Sequence, residues 1–214
     1  MGEDKRLYGY MTVEQTLRFV RSVYSGWDHD RELALLKQFE LPLDRKCKKL
    51  SKGLRTKLAL VIALSRRAEL LVLDEPSEGL DPGTGEQWLE AMVQAAADGT
   101  TVFFSTHQIA EVERVADHVF IMNAGQLVFR SPIEEMRENY RRIHVAFPGR
   151  APVEEMNVEG ARWLRAENHV LSLVVNGNAE SVTKRAQALG AISVNVQPIS
   201  LREVFLETVA EDPS

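Results

Sequence analysis

The chain has 214 residues, 44% hydrophobic and 27% charged, a mixture that fits one globular domain, or one with a small appendage, and excludes fibrous or wholly disordered architectures. A formal net charge of -5 gives no general grip on nucleic-acid phosphates, so no nucleic-acid partner is expected. The longest apolar run, Leu58–Leu64, falls far short of the roughly 20 residues of a membrane-spanning helix, and the single Cys47 cannot form an internal disulfide, which fits a reducing compartment.

In chain order, Met1–Arg6 holds no apolar segment, and no secretory signal is expected there. Thr12 with Gln15 three positions on is a capping-box start, and Val13, Leu17, Val20 and Tyr24 fall on one helical stripe. A second stripe, Leu33, Leu36 and Phe39, ends before Pro42, so residues 12–40 are predicted to form two helices broken at Gly26-Trp27-Asp28. The basic run Arg45-Lys46-Cys47-Lys48-Lys49 is predicted to be a solvated loop with a surface cysteine, ahead of a third helix from Leu54 to Leu64.

Leu70–Leu73 is apolar without alternation, the pattern of a strand buried on both faces. Trp88, Leu89, Met92, Val93 and Ala96 mark an amphipathic helix, and Thr101–Phe104 is a further strand after Gly99. Strand, helix, strand predicts a parallel α/β unit. Ile109, Val112, Val115 and Ala116 give another helix, and Val119–Met122 a strand that turns at Asn123-Ala124-Gly125 into Gln126–Phe129.

The first domain is predicted to occupy residues 1–140, with a helical part at about 8–68. Pro148-Gly149-Arg150-Ala151-Pro152 breaks the chain beyond it. Strands at 142–147, 161–166, 169–175 and 192–197, a helix at 179–189 and a closing helix from Leu201 to Val209 predict a small α+β accessory domain over 141–214. The three tryptophans, Trp27, Trp88 and Trp163, are expected to fill packing positions.

Chemistry concentrates at three places. Leu70-Leu71-Val72-Leu73-Asp74-Glu75-Pro76 ends an apolar strand in two adjacent carboxylates, where open α/β sheets bind ligands. There Asp74 can hold Mg²⁺ directly or through water and Glu75 can polarise an attacking water; taken alone, such a segment is, about one time in three, a strand end returning to solvent. Phe103-Phe104-Ser105-Thr106-His107 ends the next strand in a histidine that can donate to a phosphate oxygen, although a lone histidine is more often structural. Ser51 opens a helix at Ser51-Lys52-Gly53, whose N–H groups favour an anion, a position that also suits a plain N-cap.

The order of these segments, Leu50-Ser51-Lys52-Gly53, Asp74-Glu75, Gly79-Leu80-Asp81-Pro82 and His107, resembles the ATP-binding subunits of ABC transporters over residues 3 to about 130. The resemblance implies an α/β fold: a partial P-loop NTPase core with a helical subdomain, followed by the C-terminal α+β appendage. By it, Ser51, Lys52 and Gly53 are the signature loop, Asp74 is the Walker B magnesium ligand, and Glu75 is the catalytic carboxylate. Asp81 is the D-loop aspartate and His107 the switch histidine. Glu3 stands where the family places its Q-loop glutamine, and Lys52 and Leu54 replace the commoner Gly and Gln of the signature. Ser-Lys-Gly and the closing Leu201–Leu206 segment are similar to bacterial exporters of the type-two class.

No lysine in the sequence follows a glycine, so the Gly-Lys of a Walker A phosphate loop is missing. The expectation is therefore a chain truncated before the Q-loop that binds ATP weakly alone and leaves a sheet edge open to association. For the longer protein the resemblance implies an ATPase using ATP and Mg²⁺, paired with a second ATPase subunit, as homodimer or heterodimer, and with membrane-spanning permease subunits. It would lie in the cytoplasm, peripheral on the inner face of the cell membrane. A non-catalytic scaffold or regulatory subunit is the alternative.

Overall fold

A computed structural model describes residues 7–156, 158 and 161–210. The chain divides into two compact units, 1–111 and 112–214. The first holds helices α1 (Val13–Val23), α2 (His29–Gln38) and α3 (Lys52–Leu64), strand β1 (Leu70–Asp74), helix α4 (Pro82–Ala97) and strand β2 (Thr101–Ser105), and it ends within α5 (Ile109–Val115).

The capping box forms: the Gln15 N–H donates to Thr12 Oγ1 at 3.1 Å and the Thr12 N–H donates to Gln15 Oε1 at 2.9 Å. Thr12 also bridges to Lys46, and the Cys47 N–H donates to the Met11 carbonyl at 2.9 Å. That pairing draws the basic run against the start of α1, so Cys47 is buried, with Sγ 3.3 Å from Thr16 Oγ1. The expected surface cysteine is thereby corrected.

Asp28 starts α2 by accepting from the Arg31 N–H at 2.9 Å. The buried face of α2 is Glu32, Leu35 and, at its end, Phe39, whereas Leu33 is 65% exposed. The stripe is turned from the expected one because the Trp27 indole N–H donates to Glu32 Oε2 at 2.7 Å and takes the acid inward. Leu58, Leu60 and Val61 are fully buried on α3, which packs against α1 and α2.

β1 and β2 run parallel in register from Leu70 opposite Thr101 to Asp74 opposite Ser105. Burial on both faces of β1 is corrected: Leu71 and Leu73 are buried, but Leu70 and Val72 are each 54% exposed. The covered face is the one on which Trp88 of α4 meets the Phe104 ring edge-on at 5.6 Å. In α4 the buried stripe is Thr84, Trp88, Leu89, Ala91, Met92 and Ala95, with Val93 exposed.

In the second unit β3 (His118–Asn123) and β4 (Gln126–Pro132) form an antiparallel hairpin. Its two-residue turn places Ala124 and Gly125 at φ 46° and 79°, both left-handed. Helix α6 (Ile133–Asn139), which the sequence pattern did not reveal, buries only Ile133 and Met136. β5 (Tyr140–Ala146), α7 (Val153–Met156), β6 (Ala161–Glu167), β7 (Val170–Asn176), α8 (Ala179–Ala188), β8 (Ser193–Pro198) and α9 (Leu201–Ala210) follow.

The four strands pair antiparallel in the order β6-β7-β5-β8. Ile143, Val145, Leu171, Leu173 and Val182 form their core. On α9, Glu207 accepts from Arg142 Nη2 at 3.0 Å and pairs with Arg165 Nη2 at 2.7 Å.

Candidate functional site

The parallel pairing of β1 and β2 brings the two chemical ends together. Asp74 is the last residue of β1 and lies opposite Ser105, the last of β2. The chain then turns sharply at Glu75, whose φ of 42° is left-handed and costs a non-glycine residue roughly 1–2 kcal/mol. Two acceptors hold the Glu75 N–H, the Ser105 carbonyl at 3.1 Å and Ser105 Oγ at 3.1 Å. The same hydroxyl donates to Asp74 Oδ1 at 2.5 Å.

His107, two residues past β2, places Nδ1 2.9 Å from Glu75 Oε2. A carboxylate can only accept, so Nδ1 carries the proton and Nε2 is the nitrogen left for a ligand. Nε2 donates to an anion only when the ring holds both protons. The imidazole is 70% exposed and the Glu75 side chain 28%, which leaves both within reach of solvent and substrate. The convergence that the sequence required, Asp74, Glu75 and His107 at neighbouring strand ends, is present in one unit.

A second layer ties the same loops. Ser77, buried after Pro76, donates from Oγ to Glu111 Oε2 at 2.9 Å, and Thr106 Oγ1 reaches that oxygen at 3.4 Å. Gln108 Nε2 donates to Ser77 Oγ at 3.3 Å. Neither Glu111 nor Ser105 was singled out from sequence. Their signal was present only as position: Ser105 aligns with Asp74 once two strands of five residues are laid side by side, and Glu111 lies in the first turn of the helix that follows His107.

The signature-like residues sit on a different pair of segments. Ser51 is the N-cap of α3, its Oγ accepting from the Leu54 N–H at 3.2 Å. Lys52 Nζ pairs with Glu78 Oε1 at 2.5 Å. Gly53 faces the Gly79 carbonyl so closely that a Cβ would come within 3.3 Å of its oxygen, and Gly79, at φ 75°, leaves 3.0 Å from its own would-be Cβ to Lys52 Cδ. Asp81 caps α4, accepting from the Thr84 N–H at 3.0 Å and the Thr84 hydroxyl at 2.7 Å. The Thr84 hydroxyl, followed by its N–H, holds the Asp81 carboxyl below the usual carboxylate range. Among the described residues no hydrogen bond or ion pair joins Ser51 or Lys52 to Asp74, Glu75 or His107. Glu3 lies outside the described residues.

Residues 26–113, which span all of this constellation but Glu3, match the family model described as "AAA domain, putative AbiEii toxin, Type IV TA system". The chain is 26% identical to the ABC transporter ATP-binding protein YtrB of Bacillus subtilis (strain 168), over 93% of this chain and 68% of that protein. It is 31% identical to the fluoroquinolones export ATP-binding protein of Mycobacterium tuberculosis (strain CDC 1551 / Oshkosh), over 88% of this chain and 64% of the relative. A solved ATP-binding subunit of an ABC transporter superposes with a TM-score of 0.58 at 30% identity, covering 64% of this chain and 59% of that one. The chain is a homologue of ABC transporter ATP-binding proteins. A dimeric ATP-binding cassette solved with ADP and Pi, 22% identical with a TM-score of 0.54, shares the fold.

This ABC homologue spans roughly two thirds of the length of the curated relatives it matches, 68% of the first and 63% of the second. Among its described residues no group of three or more His, Cys, Asp or Glu could hold a metal alone. Magnesium at phosphate sites needs only one or two carboxylates and completes its shell with water and substrate oxygens. Asp74, with Oδ1 held by Ser105, suits that donor set.

Proposed function

We propose that the chain is the catalytic portion of an ATP-hydrolysing subunit of an ABC transporter, of the exporter type. What carries this reading is the His107–Glu75 contact beside Asp74 at the ends of two paired parallel strands. In it Glu75 orients the attacking water, His107 steadies the outermost phosphate and Asp74 holds Mg²⁺, which arrives with ATP and offsets the charge on its phosphates. Glu75 must exchange its contact with His107 for one with water, a shift open to two side chains this exposed.

Ser51, Lys52, Gly53 and Asp81 belong, in this reading, to the face presented to the nucleotide of a second ATPase subunit, and Glu3 to the Q-loop position. Permease subunits are the membrane partners, reached through the helical segment 8–50, and the protein is cytoplasmic and peripheral on the inner face of the cell membrane. Among the described residues no helix is long and apolar enough to cross a membrane. Residues 1–140 are assigned to the ATPase domain and 141–214 to the accessory domain, because the four-stranded sheet starts with β5 at Tyr140.

The test is Glu75→Gln in a version extended at its N-terminus by a Gly-Lys phosphate loop. ATP binding is retained and turnover falls by about 10²–10⁴-fold; unchanged turnover removes Glu75 from the role. The alternative reading is a non-catalytic scaffold or regulatory subunit. The two separate on titrating the 214-residue chain with Mg-ATP, alone and with a catalytically complete partner subunit. Turnover that depends on Glu75 of this chain supports the catalytic reading, and turnover indifferent to it the regulatory one.

A further inference from the structure

Two carboxylates on consecutive residues repel one another and, in a regular strand, would point to opposite faces. Here a single side chain from the neighbouring strand restrains both. Ser105 Oγ donates its proton to Asp74 Oδ1 and at the same time accepts the Glu75 N–H. We propose that Ser105 is the positioning residue of this site, its hydroxyl setting the orientation of Asp74 and the left-handed turn at Glu75 together.

The argument rests on how the hydrogen bonds are divided. The donation commits Asp74 Oδ1, and among the described residues Oδ2 has no hydrogen-bond partner. The acceptance gives the Glu75 N–H a second oxygen beside the Ser105 carbonyl, both at 3.1 Å, at the residue where the backbone is strained. A turn at φ 42° persists only where its surroundings over-determine it. With the amide held, the Glu75 side chain leaves toward His107, which comes from the same strand end two residues on. β2 and the two residues after it thus supply the hydroxyl, the carbonyl and the imidazole that act on the two acids at the end of β1. Ser105 is exposed, so its hydroxyl is not there to fill the core.

The inference deepens the catalytic reading above and rests on it for its meaning, while its test is independent of turnover. In the isotopically labelled 214-residue chain, the exchange rate of the Glu75 amide and the ¹³C resonance of the Asp74 carboxyl are followed in Ser105→Ala and Ser105→Thr. Loss of one acceptor in Ser105→Ala speeds Glu75 exchange about tenfold and moves the Asp74 resonance; Ser105→Thr, which keeps the hydroxyl, restores both to within about twofold of wild type. If either signal is unmoved in Ser105→Ala, or Thr fails to restore it, the assignment is overturned. Mn²⁺ with pyrophosphate is then added to the wild-type chain. Selective broadening at Asp74 supports the metal role of Asp74. Its absence, with the Ser105 variants behaving as expected, sinks that role and leaves Ser105 as the residue that shapes the turn.

Discussion

At Glu75 the structure predicts an inverted order of substitution. Glycine normally costs about 0.5–1 kcal/mol relative to alanine, because the unfolded chain gains freedom. Glu75 sits at φ 42°, where any residue with a Cβ bears roughly 1–2 kcal/mol of strain. Glu75→Ala and Glu75→Gly lose the same side-chain contact with His107, a partly exposed hydrogen bond worth about 1 kcal/mol. Both keep the two backbone-held bonds to Ser105. Their difference therefore isolates the backbone: relief of strain outweighs the entropy term, and Glu75→Gly should be more stable than Glu75→Ala by about 0.5–1 kcal/mol.

The assay is urea denaturation of the chain, followed through the emission of Trp88, which is fully buried and packed on Phe104 of β2. Trp27→Phe and Trp163→Phe in the background make the signal specific to this sheet. Alanine equal to or more stable than glycine would refute both the strained turn and the idea that stability is given up there for function. Neither variant should turn over ATP in the extended version described above, so stability and activity part company at this one residue.

Two further outcomes follow from other parts of the molecule. Glu207→Gln should destabilise the C-terminal unit by about 1–2 kcal/mol, below the ~3–5 of a fully buried broken pair, because Arg142 keeps Glu203 at 3.4 Å and Arg165 is 57% exposed; Trp163 emission in denaturant reports it, and a change under about 0.5 kcal/mol contradicts it. The Arg31 N–H, against a smaller opposing push from burial and with help from Arg67, holds the Asp28 carboxyl below its ordinary 3.8. A carboxyl depressed on folding stabilises above its unfolded value and loses that contribution as pH falls through the folded one. Urea midpoints measured from pH 5 downward should thus fall less steeply in Asp28→Asn, which keeps an N-cap oxygen, than in the wild type; parallel curves would dissociate Asp28 from the acid transition.

Local rules in the sequence determined a good deal by themselves. Capping chemistry at Thr12 and Ser51 is written in side chains within three residues of the N–H they satisfy, and both caps form; Asp28 and Asp81 cap their helices in the same local way. The four-stranded antiparallel sheet was legible strand by strand because its elements alternate and are separated by turn residues. Asp74-Glu75 and His107 were legible as strand ends because parallel strands of equal length deliver their carboxyl ends to one edge.

Tertiary structure decided what no local pattern encodes. Leu70 and Val72 are as apolar as Leu71 and Leu73, and only the side on which α4 packs made one pair buried and the other exposed. Cys47 went inside because its neighbour Lys46 pairs with Thr12, far earlier in the chain. Glu32 displaced Leu33 from the covered face of α2 because an indole N–H needed an acceptor there. Ser105 acquired its two bonds solely from register, since a hydroxyl can join two carboxylate-bearing residues only when strand pairing sets it opposite them.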